Sequence, residues 1–444
     1  MRAQPREAER VDARPFATYM IPLRFAGPHG GQAALFYGWR IVAVSALAQA
    51  VSVGTTFYAY GAFVKPLATE FGASRLAVTL GMTSLMVVQG LIAPIMGRAL
   101  DRLSPRVVMG SGVVLQAAGL GLLSLTTELW QVGILFVSAI GIGSYLFSPL
   151  ATTAVVARWF FRRRGQALGI TALGSAMGGI VFPPIVTALI DALGWRGAAG
   201  AMGAGLLVLL IPITLVVVRR PEDVGEALDG NPVGVPTPTS DRRAPIPMRA
   251  LLRDRNFWAI TAAIAFAYCP VSFMLAHLVP FATDNGISPA RAAILMSGYA
   301  LGSALGCLPF GWLADRIDKR LVVWIMFAWF ALSWSQLMGQ PSFVALLVAV
   351  IASGVAVGGT MPLWGALTGA AFGRATIGSA MGLMNLVMLP VSIVGAPAAA
   401  QVFDRTGSYQ LAFTSFLGCF ALGAIAIAFL RLPAVEPGAD LATR

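Results

Sequence analysis

Charge is scarce in this sequence. Of its 444 residues only 11% are Asp, Glu, Lys or Arg, against about a quarter in an ordinary water-soluble domain, too few to cover a solvated surface. Acid is scarcest: all 19 Asp and Glu fall in tails, loops or the edges of apolar runs, and Asp191 and Asp284 come nearest to entering one. Histidine occurs twice, as His29 and His277, and cysteine three times, as Cys269, Cys307 and Cys419, each within an apolar run. An odd number of such thiols argues against a disulfide framework, and their spacing fits no metal site. No nucleophile–base pair and no phosphate-cradling loop stands out, so the chain does not read as an enzyme and implies no cofactor.

What the chain has in abundance is apolar length. It is 57% hydrophobic with a mean hydropathy of +0.77. Twelve runs are long enough to cross a hydrocarbon layer about 30 Å thick: 38–64, 76–99, 106–126, 130–157, 165–190, 196–218, 257–283, 290–313, 320–339, 342–371, 377–402 and 409–431. The expected class is an all-α polytopic membrane protein set in a lipid bilayer. A spanning barrel would show short alternating strands instead.

The net charge of +12 acquires a meaning once these spans alternate from a cytoplasmic N-terminus. Of the 31 basic residues, 26 then fall on the inner side and only Lys65, Arg75, Arg196, Arg291 and Arg405 on the outer. That bias is the positive-inside rule; it places both termini in the cytoplasm and removes the case for nucleic-acid binding. The first 36 residues are polar and lack the apolar core of a signal peptide.

The chain also repeats itself. "KPLATEFGAS" at Lys65 is echoed 214 residues later by "VPFATDNGIS" at Val279, and Gly97, Asp101 and Arg102 return at that offset as Gly311, Asp315 and Arg316. At an offset of 213, Pro149 returns as Pro362, Gly165 as Gly378, Gly169 as Gly382, Asp191 as Asp404 and Gly194 as Gly407. The twelve spans divide into two copies of six, which enter the membrane in the same direction because six is even. The expected organisation is a tail (1–36), a six-helix bundle (37–218), a polar linker (219–255), a second bundle (256–431) and a tail (432–444). Parallel repeats of this kind build the major facilitator fold.

"GRALDRLSPR" at Gly97–Arg106 and "GWLADRIDKR" at Gly311–Arg320 resemble the loop signatures of major facilitator transporters, departing at Ser104 and Asp318 where a second glycine is usual. "FYGWR" opening the first span and "WFFRRRGQALGITALGSAMGG" entering the fifth are similar to the monocarboxylate and oxalate–formate branch. The resemblance implies a conformational latch of Gly97, Asp101, Arg102 and Arg106 with Gly311, Asp315, Arg316 and Arg320. In it, Asp101 pairs with an arginine across the contact of spans 2 and 11, and Asp315 does likewise across spans 8 and 5. Spans 1, 4, 7 and 10 then line a central passage. Tyr58, Thr55, Tyr145, Tyr268, His277 and Trp364, joined by Gln89, Tyr299 and Asn385, are the candidates to bind a small-molecule substrate, each able also to serve as a plain helix–helix bond.

His277 is the one intramembrane histidine. With an ordinary pKa of about 6.5 it is the candidate for proton coupling, the alternative being a neutral ring bonded to a neighbouring helix. The branch commonly carries a basic residue deep in span 1 and an arginine in span 8. Here Tyr58 stands near the first position and span 8 is uncharged. With no carboxylate at mid-membrane, cation–proton antiport is disfavoured. The reading is therefore a proton-coupled symporter of a small monocarboxylate-like acid, monomeric in the cell inner membrane. Export of a neutral drug or secreted metabolite is the alternative.

Overall fold

A computed structural model describes residues 36–73, 75–230, 244–338 and 342–432. The tail through residue 35, with His29, and the tail from residue 433 lie outside the described residues. Twelve long helices follow in order: α1 Tyr37–Glu70, α2 Arg75–Arg102, α3 Pro105–Leu123, α4 Leu129–Val156, α5 164–193, α6 195–216, α7 Arg255–Asp284, α8 Pro289–Arg316, α9 Lys319–Ser335, α10 Phe343–Phe372, α11 Ile377–Thr406 and α12 Gln410–Ala428. Nine helical stretches qualify as spans by length and composition among the described residues. That count joins α5 and α6 into one and omits α9, 17 residues long, and α2, the least apolar of the long helices. Exposed Leu91, Ile95, Val107, Ile211, Leu332 and Val348 give the bundle an apolar outer face, as lipid contact requires.

The repeat is written into the corners. Gly72 and Gly286 end α1 and α7 at φ 58° and 77°, and Gly194 and Gly407 separate α5 from α6 and α11 from α12 at φ 69° and 66°. Only glycine adopts this left-handed conformation without steric cost. Each copy therefore places its stop signals at the same two places.

The copies meet at two symmetric crossings, α2 on α11 and α5 on α8. A Cβ on Gly97 would overlap the Gly378 carbonyl, and one on Gly165 would overlap that of Gly311. With no hydrophobic effect between helices in lipid, such backbone contact is what joins them. Further along α5, Gly174 and Gly178 receive Ala46 and Ala50 of α1.

The copies differ in helix regularity. α1 contains a π-helical turn at Gly54–Tyr58 and α4 another at Phe136–Ile140, and α4 breaks again at Phe147 before Pro149. α7 and α10 run unbroken, α10 even through Pro362. The linker folds onto the Arg-rich end of the molecule, hereafter the basic end, through helical turns at Pro221–Val224, Leu228–Gly230 and Met248–Leu251.

Candidate functional site: a passage closed at its basic end

Asp101, at the end of α2, accepts hydrogen bonds from the Gly378 and Ser379 amides at the start of α11, at 3.1 and 2.7 Å. Asp315, its copy at the end of α8, accepts from the Gly165 and Gln166 amides at the start of α5, at 2.6 and 2.7 Å. Each bundle thus clamps the other with a carboxylate on a helix N-terminus, where unpaired amides and the helix dipole favour an anion. This corrects the expected arginine partner across each contact.

The arginines of the two signatures do other work. Arg106 donates to the Val217 carbonyl, Arg316 covers the Trp312 ring at 4.2 Å, and Arg320 reaches Asp318 and the Leu430 carbonyl. Arg219 donates to the Asp101 and Arg102 carbonyls. The arginine that does pair with Asp101 is Arg158, from α4's end in the same bundle, at 2.7 Å and almost wholly buried.

Sequence reasoning missed the docked linker. Glu226 accepts from the Tyr37 amide that opens α1 at 3.1 Å. Asp229 accepts from the Phe161 and Arg162 amides before α5 at 3.0 and 2.8 Å. Glu222 crosses to the other bundle and pairs with Arg374, between α10 and α11, at 2.8 Å. Burial raises the Glu226 carboxyl above its usual value, while the Tyr37 amide and Arg40 pull it back. The available signal was three acids spaced within eight residues of an otherwise basic stretch.

Inside the bundle most expected binding residues are committed to helix–helix bonds. Gln89 donates to the Gly141 carbonyl and Ser144 Oγ, both at 3.2 Å, joining α2 to α4. Thr55 donates to the Val51 carbonyl and accepts from Gln116 of α3 at 2.9 Å. Asn385 of α11 donates to Tyr145 Oη of α4 at 2.8 Å, a bond between the two bundles. Trp364 is 2% exposed and points its indole N–H at the Met384 sulfur.

His277 is turned away from the passage. Its ring stacks on Phe273 at 5.3 Å, and its Nδ1 lies 3.4 Å from Tyr409 Oη at the start of α12. These rings belong to an aromatic cluster with Phe281, Trp334 and Phe413 that packs α7 against α9 and α12.

Three expected residues do converge. Tyr58 of α1, Tyr268 of α7 and Tyr299 of α8 lie within electrostatic reach of one another across the boundary between bundles. At about 1.5 Å per residue, Tyr268 and Tyr299 sit ~20 and ~25 Å from the basic ends of their helices. Tyr58 is 38% exposed. A separate crevice of about 460 Å³ opens on the flank of the first bundle beside Trp130 and Ile134. Both are exposed and no charged side chain lines the crevice, so it belongs to the lipid-facing surface.

Two six-helix bundles, clamped at one end around a polar interior, define a carrier rather than a catalyst. The Major Facilitator Superfamily model matches residues 46–281 and 271–444, and the chain belongs to that superfamily. It is 27% identical over 403 residues to Monocarboxylate transporter 13 of Bos taurus, covering 89% of this chain and 88% of that one. With Monocarboxylate transporter 11 of Homo sapiens it shares 26% over 418 residues, covering 89% and 82%. The MFS-type transporter pynF of Aspergillus niger is 25% identical over 362 residues, covering 80% and 77%.

Solved structures agree in fold. The E. coli fucose:proton symporter superposes with a TM-score of 0.67 at 17% identity, covering 90% of this chain and 100% of its own. A bacterial homologue of the iron transporter ferroportin, in an outward-facing state, gives 0.69 at 15%, covering 89% and 99%. The protein is a multi-pass membrane transporter.

Proposed function

We propose that this transporter carries a small monocarboxylate-like acid, coupled to protons, by rocking of two bodies, 37–218 and 256–431, bridged by the linker 219–255. The observation that carries the reading is the polar, uncharged interior closed at one end by carboxylate clasps. Such clasps hold one state of an alternating-access cycle and must release in the other. The likeness in sequence to monocarboxylate transporters over most of the chain supports the substrate class. The positive-inside bias supports a cytoplasmic basic end with both termini on that side, and the cell inner membrane as the place of work, where the chain acts as a monomer. The closed basic end then corresponds to a state facing outward.

The test is uptake of labelled monocarboxylates into proteoliposomes under an imposed pH gradient, with protein-free vesicles as background. Uptake that rises with an inward proton gradient is expected, and uptake indifferent to it would remove the proton. His277→Ala is expected to keep the gradient dependence, since its ring faces α12. Export of a neutral compound is the second reading, favoured by the want of any cation deep in α1 or α8. Resistance to a toxic neutral compound, without movement of any acid, would establish that reading.

A further inference from the structure

A buried hydroxyl without a partner demands an explanation, because the great majority of buried polar atoms are hydrogen-bonded. Tyr299 is 5% exposed, and its Oη has no partner among the described residues. The helix below it offers no competing role, since α8 packs on α10 through glycine: a Cβ on Gly302 or Gly306 would overlap the Ile351 or Val355 carbonyl. The phenol is left facing Tyr58 and Tyr268.

Tyr58 closes the π-helical turn of α1. Such turns recur at functional sites because they re-aim side chains against the helix register. The ring is seated on α5, where a Cβ at Gly179 would stand 2.5 Å from Tyr58 Cζ. One turn further along α1, a Cβ on Gly61 would meet nothing within 4 Å. The phenols therefore border open space, and a molecule occupying it meets three O–H donors.

The charges around this space are few. α10 has no ionisable side chain, and α1 has none between Arg40 and Lys65 apart from its tyrosines. No acid, Lys, Arg or His lies between Arg164 and Asp191 on α5, between Arg291 and Asp315 on α8, or between the ends of α2, α4 and α11. α7 contributes only His277, on its α12 face, and α8 a thiol, Cys307, near Tyr268. Lys65 is exposed and about 10 Å beyond Tyr58 along α1. An ionised carboxylate here would lose its hydration without gaining a cation, whereas an undissociated acid needs only donors for its carbonyl and an acceptor for its O–H. Phenols supply both.

We propose that Tyr58, Tyr268 and Tyr299 form the substrate cradle and that it accepts a small organic acid in the uncharged, protonated form. The proton then crosses on the substrate: the acid binds as RCOOH at one face and ionises to RCOO⁻ and H⁺ in water at the other, with no protein group titrating in between. This rests on the proposed transport of monocarboxylic acids and specifies how such an acid is recognised.

The experiment measures initial uptake of a labelled hydroxy monocarboxylate into proteoliposomes, less the protein-free background, at constant anion concentration and varied pH. Flux below saturation is expected to fall about tenfold per pH unit above the acid's own pKa, following the undissociated species. The matching sulfonate, ionised throughout, is expected neither to compete nor to be carried. Tyr299→Phe keeps the ring and removes the donor; it is expected to raise the half-saturating concentration about 5–10-fold with an unchanged melting profile. Tyr268→Phe is expected to act likewise. Carboxylate flux that ignores pH at fixed anion concentration, or sulfonate that competes equally, would overturn the inference while leaving monocarboxylate transport standing. Unaltered affinity in both phenylalanine variants would overturn the cradle. Failure of every acid to move in any arm would defeat the parent reading and this one together.

Discussion

Asp101 and Asp315 are the same residue of one ancestral unit, set 214 positions apart, and each caps a helix of the opposite bundle, yet their surroundings differ. Asp101 also holds the guanidinium of Arg158 at 2.7 Å. Position 158 returns at the 213-residue offset as Ala371, so the second copy has no arginine to offer. No ion pair forms at Asp315 among the described residues, and Arg164 and Lys319 bear on it only at longer range. The first clasp is a charged triad of carboxylate, guanidinium and helix end. The second is a carboxylate on a helix end alone. Duplication copied the contact between bundles, while the contact within one bundle belongs to the first copy only.

The largest effect should come from breaking the richer clasp. Asp101→Asn leaves Arg158 buried without its counter-charge, at a cost of about 3–5 kcal/mol, and should lower the melting temperature of the purified protein more than any other single clasp substitution. Asp315→Asn strands no buried cation in direct contact. It loses charge-assisted bonds to two amides, about 1.5–3 kcal/mol. The contrast sharpens in the double variant Asp101→Asn with Arg158→Met, which should recover much of the first loss and melt close to Asp315→Asn. If the double variant is as unstable as Asp101→Asn alone, Arg158 is not the source of the difference and the comparison of the clasps fails.

The glycines behind the clasps should behave alike in both copies. Gly165→Val and Gly378→Val each push a branched side chain into a backbone only a glycine's width away, so both should cost about 1–3 kcal/mol by overpacking and should favour states in which the basic end is parted. Melting of the two variants side by side checks this. Unequal losses would mean that the crossings α5 on α8 and α2 on α11 are less equivalent than their backbones.

What could be read beforehand follows residue type and spacing. The double copy, the spans and the turning glycines Gly72, Gly286, Gly194 and Gly407 were visible because glycine at a repeated offset beside an apolar run leaves few explanations. Asp101 and Asp315 were visible as well, but their partners were not. Backbone amides at a helix start carry no side-chain signature, so reasoning over residue types went to arginine. Gln89, Thr55, Tyr145 and Asn385 were polar in the right helices, yet a span assignment does not reveal which face meets a neighbour. For His277 that face was legible: Phe273, His277 and Phe281 recur at steps of four, one stripe of a helix, and a stripe of rings marks packing. The linker's docking depends on loop geometry, including the left-handed Asp229 at φ 58°, which no periodicity announces.

The smallest expected effect lies in the linker, and it bears on how the halves part. Glu222 and Arg374 form an ion pair across the bundles, but Glu222 is about half exposed, and such pairs contribute roughly 0–1 kcal/mol. Glu222→Gln should therefore barely move the melting temperature. It should still matter to exchange between states, because the pair must separate whenever the basic end opens while Glu226 and Asp229 stay bonded within the first bundle. The linker would then travel with α1 and α5, and only Glu222 would let go. Glu226→Gln, which weakens a bond that never has to break, should reduce stability slightly and leave the opening rate unchanged. Rates of thiol labelling at a cysteine introduced at the basic end of α11 distinguish the two: faster labelling in Glu222→Gln but not in Glu226→Gln is expected. The reverse order would mean that the linker moves with the second bundle.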